Sequence, residues 1–132
     1  MAADSLPLDV RDYECDLQGI VNNAVYLQYL EHARHRYIKA RGLDFAELTR
    51  QGIQLVVVRA EVDYKSPLRS GESFVVRSQL ERTSEVKFEF LQEIRRVPGD
   101  ALVLKARVTC AAMNGQGRPM RLDAVERLFE AR

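Results

Sequence analysis

The chain has 132 residues, 46% of them hydrophobic, and a formal net charge of +1, which describes one globular domain with a modest core and no overall pull toward nucleic acid or an anionic membrane. Its two cysteines, Cys15 and Cys110, lack metal or redox spacing and suit a reducing compartment. No apolar run approaches the roughly 18 residues of a membrane span, and "MAADSLPLDV" lacks the pattern of a signal peptide, so a soluble cytoplasmic protein is expected.

No repeat, low-complexity tract or linker divides the chain, and a single domain over 1–132 is expected. Residues 7–14, "PLDVRDYE", place Leu8, Val10 and Asp12 on one side and read as a short strand. Next comes "CDLQGIVNN", a Gly-containing turn that carries the acid Asp16 and two asparagines. From Asn22 to about Arg41 the period becomes helical: Tyr26, Leu30, Ala33, Tyr37 and Ala40 draw one apolar stripe, with Gln28, His32, His35 and Lys39 mostly opposite. Asn22 is the expected N-cap and Gly42 the terminating glycine. A shorter helix is expected over 44–51, capped by Asp44.

From there the period is two. "QLVVVRAEVDYK" sets Val56, Val58, Ala60, Val62 and Tyr64 on one face, against Val57, Arg59, Glu61, Asp63 and Lys65. "SPLRSGE" turns the chain into "SFVVRSQLER". "EVKFEFLQEI" aligns Val86, Phe88 and Phe90, and "ALVLKARVTCAAM" alternates Leu102, Leu104, Ala106, Val108, Cys110 and Ala112 with Lys105, Arg107 and Thr109. "RPMRL" reads as a short strand, and 123–130 as a last helical turn or two. Four or more antiparallel strands with one apolar face need a cover. A 20-residue helix, about 30 Å long at 1.5 Å per residue, matches strands of nine or ten residues. The expected fold is therefore α+β, a curved antiparallel sheet of five or six strands wrapped around one long central helix. Its open edges predict a homo-oligomer, a dimer or a dimer of dimers (a homotetramer).

The run "VRDYECDLQGIVNNAVYLQYLEHAR" together with "YKSPLRSGE" resembles the hotdog-fold acyl thioesterases, in particular the 4-hydroxybenzoyl-CoA thioesterase type. It is similar to the plant acyl-lipid enzymes that act on acyl carrier protein and to their bacterial relatives. The likeness runs over about 8–121. It implies hydrolysis of acyl-CoA or acyl carrier protein thioesters to a free acid and a thiol. It also implies that Asp16, at the family's acidic position, acts as nucleophile or general base, two roles that both use an ionised carboxylate. N–H groups at the helix start would hold the carbonyl oxygen, and Gly19, Asn22 and Val25 are the expected positions. Many relatives place a His beside this site, whereas Asn22 and Asn23 stand here. The extra Asn and His of the larger plant carrier-protein enzymes are replaced by Gln18 and Ile20. Asp16 is left as the loop's one acid–base group, with Asn23 able to orient water or carbonyl but not to shuttle a proton.

The same residues have plainer readings. Asp16 also suits an Asx turn, and Glu31 suits an i,i+3 pair with Arg34. His32 and His35 lack a third ligand and read as solvent-facing, Cys15 as a small core residue. Neither a metal nor another cofactor is expected. Arg59, Lys65 and Arg69 are candidates to receive CoA phosphates or an acidic carrier protein, or else are solvated strand charges. Rival functions are an acyl-carrier-binding scaffold and a hydroxyacyl thioester dehydratase. The second wants a His–carboxylate dyad that residues 13–25 lack.

Overall fold

In the computed structural model, which describes residues 3–129, six strands form one antiparallel sheet. They are β1 (Ala3–Asp9), β2 (Gln54–Tyr64), β3 (Ser73–Arg82), β4 (Lys87–Val97), β5 (Leu102–Met113) and the two-residue β6 (Pro119–Met120). The spatial order is β1-β3-β4-β5-β2, with β6 beside β5, so β1 and β2 are the edges. Helix α1 (Asn23–Ala40) packs on one face of this sheet. Helix α2 (Phe45–Arg50) follows it, and α3 (Asp123–Glu126) ends in a 3-10 turn over Arg127–Phe129. Glu130, the last residue of the expected terminal helix, lies outside the described residues. Among the described residues no helix is long and apolar enough to cross a membrane.

The apolar stripe of α1 does the joining. Tyr26, Leu30, Ala33 and Tyr37 are buried as their spacing predicts, with Tyr29 and Ile38 beside them, while Ala40 is exposed. Tyr37 stands edge-on to Phe90 at 5.3 Å between centroids, and Tyr29 lies 4.7 Å from Phe74, which fixes the helix over β3 and β4. Phe88, Phe90 and Ile94 of β4 and Leu104, Ala106 and Val108 of β5 complete the core from the sheet side.

Three strands differ from expectation. β4 spans Lys87–Val97 rather than 85–94, and Val86 lies in the turn before it. β1 runs Ala3–Asp9 rather than 7–14, because the chain leaves the sheet in a 3-10 turn over Asp12–Glu14. That turn closes on Glu14, whose carboxylate accepts from the Arg11 N–H at 2.9 Å. In β2 the pairing with β5 passes from Val57↔Cys110 to Arg59↔Thr109, so Val58 is an extra, bulged residue. A one-residue insertion inverts the phase of everything before it. Ala60, Val62 and Tyr64 share the helix-side face as expected, but there they are joined by Leu55 and Val57 rather than by Val56 and Val58.

Candidate active site

Residues 14–22 form a narrow hairpin that feeds α1. The Asn22 N–H donates to the Glu14 carbonyl at 3.0 Å, Cys15 pairs with Val21, and the Asp16 N–H donates to the Ile20 carbonyl at 2.9 Å. Gly19 closes the tip at φ 79°, in the left-handed region that a side chain disfavours, with its N–H on the Asp16 carbonyl at 3.0 Å. The "SPLRSG" run packs against this hairpin. The Val21 N–H donates to the Leu68 carbonyl at 2.9 Å, Ile20 bridges Arg69, and the Leu68 N–H donates to the Tyr26 hydroxyl at 2.9 Å. Arg96 holds the other side of the run through the Pro67 carbonyl and, at 3.3 Å, the Ser66 Oγ. The two motifs quoted from sequence are therefore one hydrogen-bonded unit.

Asp16 is exposed near the tip of that unit. Its Oδ1 accepts the Gln18 N–H at 2.9 Å, so it is indeed an Asx-turn residue, and the bond orients the carboxylate while no described residue donates to Oδ2. Asn22 is the N-cap of α1, its Oδ1 accepting the Ala24 N–H at 2.8 Å. Asn23 is the first helical residue, exposed, with its carbonyl 3.4 Å from the Tyr64 hydroxyl.

The three expected oxyanion donors are already engaged. The N–H of Gly19 serves Asp16, that of Asn22 serves Glu14, and that of Val25 serves the Asn22 carbonyl at 2.9 Å. Helix starts leave their first N–H groups without intrahelical acceptors. Here the cap residue takes those of Ala24 and Val25, so the N–H of Asn23 remains as the first-turn donor with no acceptor among the described residues. Of the three candidate cations, Arg69 comes to the Asp16 hairpin by its backbone, with an exposed side chain. Lys65 follows Tyr64 and lines a trough on the outer sheet face with Asp63, Glu93 and Lys105. Arg59 lies farther back on β2, paired with Glu61 at 2.7 Å. The three do not converge.

His32 and His35 are exposed, His35 lying 3.8 Å from Glu31 and 5.1 Å from the ring of Phe45. Among the described residues no three His, Cys, Asp or Glu side chains are grouped to hold a metal ion.

A groove leads away from the helix start. Asn23, Leu27, Glu31, Arg34 and Ile38 recur at spacings of 4, 4, 3 and 4 down one flank of α1. The helix-side face of β2 runs beside them, from Tyr64 near Asn23 to Val57 near Arg34 and Ile38. Leu27 (44%), Val57 (47%) and Tyr64 (50%) are all unusually exposed for large apolar residues. The far end opens into a cavity of about 340 Å³ between α1, β2, β4 and β5. Sequence reasoning missed two features: the buried Glu14–Tyr29 pair on the β1 and β3 side of α1, and the contact of Arg34 with Gln92 beside this cavity. The second had a signal, since Gln92 is a polar residue at an inward position of the Phe88, Phe90, Gln92, Ile94 alternation.

The family model described as the thioesterase-like superfamily matches residues 10–128. The acyl-acyl carrier protein thioesterase ATL3 of Arabidopsis thaliana is 36% identical over 117 residues, which cover 89% of this chain but 62% of the plant protein, so the chain spans about three fifths of that relative. The long-chain acyl-CoA thioesterase FadM of Escherichia coli is 30% identical over 77% of this chain and 76% of its own length. The crystal structure of a 1,4-dihydroxy-2-naphthoyl-CoA thioesterase from Synechocystis superposes with a TM-score of 0.91 over 96% of this chain and 95% of that one, at 17% identity, a likeness of fold.

Proposed function

The chain belongs to the thioesterase-like superfamily, and from that premise we propose that it hydrolyses acyl thioesters of CoA or acyl carrier protein to a carboxylic acid and a thiol. The observation that carries the reading is Asp16. An exposed carboxylate is oriented by the Gln18 N–H, keeps one oxygen free, and sits on a hairpin bonded directly to the start of α1. In this reading Asp16 attacks the thioester carbon or takes a proton from the water that does. When water attacks, its oxygen bonds the carbon, the C–S bond breaks, and the proton held by Asp16 passes to the departing thiolate. When Asp16 attacks, the same cleavage leaves a mixed anhydride, which water hydrolyses to the free acid and the regenerated carboxylate, and the thiolate takes up the proton released. The oxyanion is met by the N–H of Asn23, reinforced by the positive end of α1, and the Asn23 amide orients water or carbonyl. Arg69 is the candidate cation best placed for the CoA phosphates or a carrier protein, because its backbone borders the hairpin; Lys65 and Arg59 stand on β2.

The acyl group occupies the groove between α1 and β2. That groove is open in a single chain, and a second copy pairing along β2 closes it. β2 is the edge suited to this: it has 11 residues, no proline, and exposed Val57, Val58 and Tyr64, whereas β1 has 7 residues and carries Pro7.

Asp16→Asn tests the chemistry. The amide oxygen still accepts the Gln18 N–H, so the fold should be kept, while turnover of an acyl-CoA panel should fall by about a hundredfold or more. Full activity in this variant would overturn the assignment, and tight acyl-thioester binding with no Asp16-dependent release would indicate a carrier-binding scaffold instead.

A further inference from the structure

Arg34 occupies an unusual position for a cation. It sits mostly buried in the cavity at the far end of the groove, where Phe45, Leu55, Phe88 and Phe90 form much of the wall and Glu31 and His35 also line it. Its Nη1 donates to Gln92 Oε1 at 3.1 Å, and Gln92, itself 1% exposed, donates to the Leu30 carbonyl at 3.1 Å and to Ser78 Oγ at 2.9 Å. One corner of the guanidinium is thus fixed by a satisfied network. A guanidinium has five N–H donors, and the bond to Gln92 uses one of them. No carboxylate among the described residues bonds to it directly; Glu31, on the same flank and in the same cavity lining, acts on it through its charge alone and lies 3.8 Å from His35. An arginine stripped of part of its hydration in a largely apolar slot, charged at any ordinary pH and with most of its N–H donors not taken up by a described residue, has donors to offer to whatever enters.

The distance down the helix sets what can reach it. Arg34 is 34 − 23 = 11 residues beyond Asn23, or about 16 Å at 1.5 Å per residue, and its side chain leans back toward the helix start. An extended acyl chain advances about 1.3 Å per carbon, given carbon–carbon bonds near 1.5 Å. We propose that Arg34 selects the acyl group by receiving an oxygen substituent carried roughly eight to twelve carbons from the thioester, so that the preferred substrate is a medium-length acyl thioester oxygenated at its far end. This rests on the thioesterase reading above and adds the substrate class. A site built to bond an oxygen discriminates against the analogue lacking it far more strongly than an apolar slot discriminates by shape.

The test compares 10-hydroxydecanoyl-CoA with decanoyl-CoA for the wild type, Arg34→Met and Arg34→Lys. Alongside, calorimetry reads the binding of the two free acids, 10-hydroxydecanoate and decanoate. The wild type should favour the hydroxylated compound at least tenfold, both in kcat/KM and in Kd. Arg34→Met should bring both ratios to about one. Arg34→Lys, which keeps the charge but not the planar fork, should fall between, and it carries the comparison if the methionine variant does not fold. A wild-type ratio near one, or a tenfold ratio that survives either substitution, overturns the proposal. So does a proportional loss on both compounds together with a lowered Tm, which would make Arg34 only a tie between α1 and Gln92. Should the wild type hydrolyse neither ester, the thioesterase reading fails while the acid-binding ratio still decides the role of Arg34.

Discussion

Tyr29 donates its hydroxyl to Glu14 at 2.7 Å inside the protein, and the same carboxylate holds the Arg11 N–H, so one buried acid ties the start of the Asp16 hairpin to α1. Burial, reinforced by this bond, raises the Tyr29 pKa well above its ordinary 10.0. Burial likewise pushes the Cys110 thiol up from 9.0 to about 11. The sign follows from linkage. An acid with a raised folded pKa keeps its proton in the native state after the unfolded chain has lost it, so its stabilising contribution is whole below pH 9 and is lost as pH rises toward 11. For Cys110 alone that loss is about 2–3 kcal/mol at most. The urea midpoint of the wild type should therefore fall steeply between pH 8 and pH 11. Cys110→Ala, whatever its stability at pH 8, should show a shallower fall. Equal slopes would contradict the buried, proton-bearing thiol.

Among the elements, α1 was the most legible from sequence. A stripe from Tyr26 to Tyr37 burying one face, Asn22 capping and polar residues opposite all follow from the 3.6-residue period, and the helix observed is Asn23–Ala40. The cap bond to the Ala24 N–H predicts that Asn22→Ala costs about 1 kcal/mol, measurable as a shift in the urea midpoint. β2 was legible only in half. From Ala60 to Tyr64 the alternation points the right way, but three consecutive valines give no sign of which one is extruded. The bulge at Val58 follows from the register that β5 imposes, and local pattern carries no record of a partner strand. The Asp12–Glu14 turn closes locally through Arg11 and Glu14, but the burial of Glu14 against Tyr29, 15 residues away, has no local signal.

For the molecule as a whole, the uncovered β2 edge leads to a prediction about assembly. Replacing Val57 and Val58 together by Lys should weaken self-association at least tenfold in sedimentation equilibrium, and activity should fall with it as the groove loses its cover. A wild type that stays monomeric at tens of micromolar, or an unchanged equilibrium in the variant, would contradict pairing along β2.

Period, caps and turn residues act over a few neighbours, and from them the order and kind of the main strands and α-helices were legible. The sequence by itself also singled out Asp16 and the "SPLRSG" run as belonging to one family pattern. How they meet came from the tertiary structure: Leu68 and Arg69 bond to the Asp16 hairpin, and the donors expected at Gly19, Asn22 and Val25 are consumed within the chain while that of Asn23 has no acceptor among the described residues. The tertiary structure decided, too, that Arg34, expected from sequence as a helix-surface partner for Glu31, shares with Glu31 a largely apolar cavity and bonds there to Gln92, 58 residues away. Hydrogen-bond donors and burial are settled by long-range packing, which a pattern of neighbours does not contain.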